Sequence, residues 1–93
     1  MTTYIDEIAK RIEASLDSKD RPKSNGHELY RLYALLALVK GRDVSLSDVH
    51  NAWSVWISAS QPEHPALIPF EDLNEEQRMQ DAPYAAAIRS AVE

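Results

Sequence analysis

The sequence predicts a compact all-α single domain of four to five helices, with an irregular proline-rich segment at about residues 61–70 between helices. Three observations support this. Apolar residues recur at helical spacing in successive stretches, each bounded by polar turn residues. No strand-like alternation runs long enough to form a sheet, and nothing repeats. The chain has 93 residues, 44% of them apolar, which fits one small core and excludes a wholly disordered polar chain.

Helix one is predicted over Thr3 to Leu16. Ile5, Ile8, Ala9, Ile12 and Leu16 share one face, and the other face is charged. Thr2 or Thr3 can cap its start, and Asp6 and Glu7 suit the positive end of its dipole. Asp17 to Gly26 is a polar connection rich in turn residues. Its Lys19, Arg21 and Lys23 read either as a solvated loop or as a basic lip over an anionic ligand.

His27 to Lys40 is the strongest helix. Asn25 is a suitable N-cap, with Glu28 in capping-box position. Leu29, Leu32, Leu35, Leu36 and Val39 predict one apolar wall. Tyr30 and Tyr33 are expected to edge the core with their hydroxyls in water. Ala34, Ala37 and Leu38 leave little polar surface, which marks the helix as central. Gly41 stands where a helix ends, and Lys40 suits the negative end of the dipole.

Helix three is predicted over Ser45 to Ser60. Ser45 and Asp48 form a capping pair just before the apolar face Leu46, Val49, Trp53, Trp56 and Ile57. Pro62 prevents continuation and pushes Gln61 toward extended geometry. His64 to Phe70 (HPALIPF) carries two prolines four apart and cannot be helix interior. Leu67, Ile68 and Phe70 are expected to enter the core. A short helix from Glu71 to Met79 is anchored by Leu73. Asp81 is expected to cap the last helix, with Pro83 in its first turn and Tyr84, Ala85, Ile88 and Val92 on its buried face. Residues 1–44 thus form a two-helix part, and residues 45–93 the rest of the domain.

Charge narrows the function. The net charge is −5. Residues 1–41 hold seven Lys/Arg against six Asp/Glu, whereas residues 42–93 hold three against nine. General nucleic-acid binding needs clustered positive charge, so it is not expected. A small anion remains possible, because one or two local cations hold a phosphate. The start, MTTYIDEIAKRIE, has acidic residues where a signal peptide is apolar, and cysteine is absent. Both suit a cytoplasmic location. The longest apolar run, Ala34 to Val39, is too short to span a bilayer, so no membrane partner is expected.

Few residues offer catalytic chemistry. His27, His50 and His64 are scattered without a same-face pair, so no metal is expected. No cysteine or strained serine supplies a nucleophile, and the paired carboxylates suit exposed helix starts. No enzyme activity and no cofactor are expected. What remains is the stretch Val49 to Leu73. Trp53 and Trp56 are three apart on one helix, with His50 three before Trp53. An aromatic face beside imidazoles suits a planar ring such as a nucleobase. Lys40 and Arg42, just before helix three, are placed to neutralise phosphate. The candidate ligand-binding residues are therefore Trp53, His50, Trp56, His64, Lys40 and Arg42. The same tryptophans also suit core packing, and His50 and His64 also suit backbone carbonyls at the corner after helix three.

Val49-His50-Asn51-Ala52-Trp53, followed by His64 to Leu73 (HPALIPFEDL) and Asp81, resembles the ryanodine-receptor repeat, the RyR domain. The likeness covers about Leu46 to Val92. The upstream LYRLYALLALVKG resembles short proteins of actinobacterial phages that carry the same block. The repeat has a longer connection with a G-W-x-Y-G element between the tryptophan and the HP block; here ten residues, Ser54 to Glu63, connect them. The resemblance implies a helical, non-enzymatic domain. It implies an adenine nucleotide or ADP-ribose-type ligand with Trp53 facing the base, and a homodimer that rebuilds paired repeats. The expected function is a module binding a nucleotide-like molecule, in a phage a sponge for a host immune signal. The alternative is a protein-interaction module regulating or inhibiting a host protein through the acidic face of Glu71, Asp72, Glu75 and Glu76.

Overall fold

A computed structural model of the chain describes residues 2–22 and 26–92. It is all-helical among these residues. The helices are α1 (Tyr4–Ala14), α2 (Gly26–Lys40), α3 (Leu46–Ser60), the single-turn α4 (Glu75–Met79) and α5 (Ala82–Ala91). Short 3-10 turns lie at Ser18–Asp20, Gly41–Asp43 and Phe70–Asp72. The Cα radius of gyration, 12.6 Å, is close to the roughly 12 Å expected of a folded chain this long.

Local chemistry explains the helix starts. Thr3 Oγ1 accepts the Asp6 backbone N–H, and Asp6 Oδ2 accepts the Thr3 N–H at 3.0 Å, a complete capping box. Asp6 also draws α2 in, with Arg31 at 3.5 Å and His27 at 3.6 Å from its Oδ1. Ser45 and Asp48 form the same box at α3. The expected Asn25 cap of α2 lies outside the described residues. Gly41 takes a left-handed conformation at φ +58° and ends α2, as its missing Cβ allows.

Helix α2 packs against α1, α3 and α5. Its buried face is Leu29, Tyr30, Tyr33, Ala34 and Ala37. This corrects the predicted wall: Leu35 is 51% and Val39 69% exposed. The alanines decide it, because Ala34 and Ala37 let neighbouring backbones come close where leucines would hold them apart. The tyrosine hydroxyls are not in water either. Tyr33 is 0% exposed, and both Tyr30 Oη and Tyr33 Oη are buried without a hydrogen-bond partner. Burial raises the Tyr30 hydroxyl to about 12 and drives that of Tyr33 higher still.

The last helix closes the core. Ile88 and Ala85 are fully buried, joined by Ala87 and Ala91, while Val92 is exposed rather than buried. Arg89 donates from Nε at 3.0 Å and from Nη2 at 2.5 Å to the Val44 carbonyl. That fastens α5 to the turn between α2 and α3.

Candidate functional site

Residues 61–69 form no helix or strand. Pro62 stops α3, and the chain then makes two consecutive turns, His64 N–H to Gln61 O and Leu67 N–H to His64 O, each 3.0 Å. The turns fold the segment back along α3. His64 comes abreast of Trp53, their rings edge to face at 5.1 Å. Further on, the Ile68 carbonyl lies 2.7 Å from His50 Nε2. A carbonyl only accepts, so Nε2 carries the proton. His64 does the reverse: its Nδ1 accepts the Ala66 N–H at 3.0 Å. Both imidazoles therefore clasp the returning backbone.

Past this clasp, Arg78 holds the Phe70–Asp72 turn. Its Nε donates to Phe70 O at 3.2 Å, its Nη2 to Glu71 O at 2.6 Å, and its guanidinium lies 5.3 Å from the Phe70 ring centre. Leu67, Ile68 and Phe70 were expected in the core, but Ile68 is exposed and the other two are half-buried. Leu73 alone anchors this region, 5% exposed. The predicted Glu71–Met79 helix is broken there, because Leu73 is extended and Asn74 opens α4 with its own capping box to Gln77.

A cavity of about 500 Å³ lies between α3, the returning segment, α4 and the start of α5. Its walls include His50, Trp53, His64, Leu73, Asp81 and Tyr84. Lys19 and the amides of Gln77 and Gln80 also line it. Its size falls within the range of small-molecule sites. Trp53 is half-buried, with the His50 ring stacked on it at 5.7 Å and 24°. Tyr84 donates its hydroxyl to the Asp20 carbonyl and lies 5.6 Å from the Tyr33 ring. Burial raises the Tyr84 hydroxyl, with Asp20 and Asp81 adding to it.

Asp81 behaves unlike the other helix-start aspartates. It occupies the N-cap position of α5 but makes no side-chain cap bond. Two causes act together. Pro83 at N2 removes one of the two N–H groups a cap can use and leaves that of Tyr84 at N3. Asp81 is also in the helical region (φ −84°, ψ −11°) rather than the extended one a capping side chain prefers. Its Oδ2 is left buried with no hydrogen-bond partner. Burial pushes its carboxyl up to about 6, and His50 works against this shift.

Of the sequence-predicted site residues, the fold brings His50, Trp53 and His64 to this cavity. It sends Trp56 elsewhere. Three residues leave about 60° between two side chains on a helix, and Trp56 lines a separate apolar cleft of about 380 Å³ with Leu32 and Val55. Lys40 lies 3.7 Å from Asp48, and neither Lys40 nor Arg42 lines the cavity. Sequence reading missed Asp81, Tyr84, Gln77 and Gln80. The one signal for Asp81 was the proline two residues after it, which removes one of the two N–H groups a cap can use.

Among the described residues, no group of His, Asp or Glu could hold a metal ion, and no helix is long and apolar enough to cross a membrane. In comparisons with known proteins, residues 3–93 match the family described as "Domain of unknown function (DUF7701)". The chain belongs to that family. No curated protein and no solved structure matches it. The resemblance to the ryanodine-receptor repeat is thereby corrected: the family spans nearly the whole chain, and nothing indicates such a repeat. The residues that carried the likeness have a local explanation. VHNAW and HPALIPFEDL are the two halves of the His50–Ile68 clasp, a way of fastening a helix to a returning segment. Such a clasp specifies a corner, not a family.

Proposed function

We propose that this member of the DUF7701 family is a non-enzymatic binding module for a nucleotide-like small molecule. The observation that carries the reading is the cavity beside Trp53, where an indole and two imidazoles meet with polar side chains of α4 and its flank. Aromatic walls suit a planar ring, and base–aromatic contact is worth about 1–3 kcal/mol. Lys19, on the connection after α1, is the one cation among the described lining residues and suits a phosphate. The imidazoles are already engaged with backbone, which supports positioning of Trp53 rather than proton transfer.

A thermal-shift panel of ATP, ADP, ADP-ribose, GMP and cyclic dinucleotides tests this, because only ligands preferring the folded state raise the midpoint. One saturable stabilisation is expected, lost in Trp53→Ala and kept in Trp56→Ala. A flat panel, or a shift that survives in a folded Trp53→Ala protein, rejects the reading.

A second reading is self-association through α2. Leu35, Leu38 and Val39 are exposed on one side of it. Sedimentation gives the answer: a dimer dispersed by Leu35→Glu supports it, and a monomer at high concentration removes it.

A further inference from the structure

We infer that the cavity takes a phosphate ester, and that two neutral donors, the His64 imidazole and the Gln77 amide, hold its phosphate. The inference rests on the binding reading above and names which part of the ligand these side chains read.

The polar groups of the cavity lead there. Ala66 donates its N–H to His64 Nδ1, so the ring proton sits on Nε2, a donor with no partner among the described residues. Gln77 Oε1 accepts the Asn74 N–H at 3.1 Å, which leaves the amide nitrogen and its two hydrogens unused. Trp53 adds an indole N–H. Among the described residues, the buried side-chain atoms without a partner are Tyr30 Oη, Tyr33 Oη and Asp81 Oδ2. The unused nitrogens of His64, Gln77 and Trp53, all half-buried side chains, therefore keep surface that a ligand can touch.

The remaining lining groups make no such wall. His50 is 3% exposed and gives its Nε2–H to Ile68. Asp81 Oδ2 is covered. Tyr84 gives its hydroxyl to the Asp20 carbonyl. Lys19 and Asp20 stand side by side on the Ser18–Asp20 turn, so their charges offset. Gln80 is exposed and offers a donor and an acceptor alike.

Backbone bonds fix the two donors. His64 cannot turn a lone pair to a ligand without losing the Ala66 N–H, and Gln77 cannot flip its amide without losing the α4 cap. Donors held this way suit a group that only accepts. An ionised phosphate oxygen does so, and charge-assisted hydrogen bonds are stronger than neutral ones. Trp53 is left to offer its ring to the planar part of the same ligand.

The test is isothermal titration of the full chain at pH 7.5 with AMP, UMP, their nucleosides and ribose 5-phosphate. Wild type is compared with Gln77→Glu, with circular dichroism confirming that both are folded. A glutamate oxygen still accepts the Asn74 N–H and completes the capping box, while the free nitrogen becomes a negative oxygen. Wild type should bind each monophosphate at least about tenfold tighter than its nucleoside. Gln77→Glu should weaken the monophosphates at least about tenfold and leave the nucleosides within about twofold. Nucleosides bound as tightly as monophosphates by wild type overturn the inference and leave the binding reading standing. So does a monophosphate-to-nucleoside ratio unchanged in Gln77→Glu. Ribose 5-phosphate bound as tightly as AMP supports the phosphate contact and takes the base out of the reading. If none of the five binds at millimolar concentration, the nucleotide reading itself falls and takes this inference with it.

Discussion

The starts of α3 and α5 each carry an aspartate. At α3, Asp48 Oδ2 accepts the Ser45 N–H at 3.0 Å, and Ser45 answers with its hydroxyl. That hydrogen bond, with lesser help from Lys40, holds the Asp48 carboxyl below the usual carboxylate range. At α5, Asp81 has an unpartnered buried oxygen and a carboxyl raised to about 6. The same residue type near a helix start, at N3 of α3 and at the N-cap of α5, is therefore shifted in opposite directions. The cause is position and backbone conformation. Asp48 at N3 reaches back to the free N–H of Ser45, whereas Asp81 at the N-cap has helical rather than extended backbone and makes no cap bond. One aspartate completes a capping box, and the other keeps a buried oxygen without a partner.

The largest test of this contrast concerns Tyr33, which lies in the core near Asp81. Tyr33→Ala should cost about 3–5 kcal/mol in urea unfolding, the usual cost of deleting a buried aromatic ring. Because its hydroxyl has no partner, Tyr33→Phe should lose nothing and gain up to about 1 kcal/mol. A loss above about 1 kcal/mol in Tyr33→Phe would mean that the hydroxyl is satisfied after all.

Asp81 makes the next largest prediction. Its folded carboxyl is raised to about 6 from an ordinary 3.8. The folded state thus holds the proton more tightly than the unfolded chain. Its contribution is complete below about pH 4 and disappears as pH rises through about 6. Discounted for partial exposure, Asp81→Asn should stabilise by about 1–2 kcal/mol at pH 7.5 and by nothing at pH 4. Equal effects at both pH values would assign the change to shape rather than charge.

Asp48 should move the other way and by less. Its carboxyl is lowered, so its contribution is complete above about pH 4 and fades as pH falls below the ordinary value of 3.8. Ser45→Ala should cost about 1 kcal/mol at pH 7, and progressively less as pH falls and the box partner takes up its proton. A cost unchanged at low pH would show that the hydroxyl acts alone. Together these measurements separate the two aspartates by the sign and pH window of their effects.

Much of the fold is legible in residue order. The capping boxes at Thr3 and Ser45, the glycine stop at Gly41 and the proline stop at Pro62 are local rules, and the helices begin and end by them. The site is legible in part. The grouping of His50, Trp53 and His64 comes from a helix face and a segment that must turn back. Trp56 was misplaced because a three-residue step puts two rings on nearby but different surfaces, and sequence does not say where one cavity ends.

The sequence by itself determined the all-α class, the caps at Thr3 and Ser45 and the stops at Gly41 and Pro62, because these depend on interactions within a few residues. Tertiary structure decided three things that local interactions leave open. It chose the face of α2 that is buried. A helix apolar nearly all round has no preferred phase, so the close approach allowed by Ala34 and Ala37 settled the matter. It brought Asp81, thirty-one residues from His50 in sequence, to the same cavity. And it left the Asp81 oxygen without a donor, since hydrogen-bond satisfaction depends on what the whole fold places within about 3 Å.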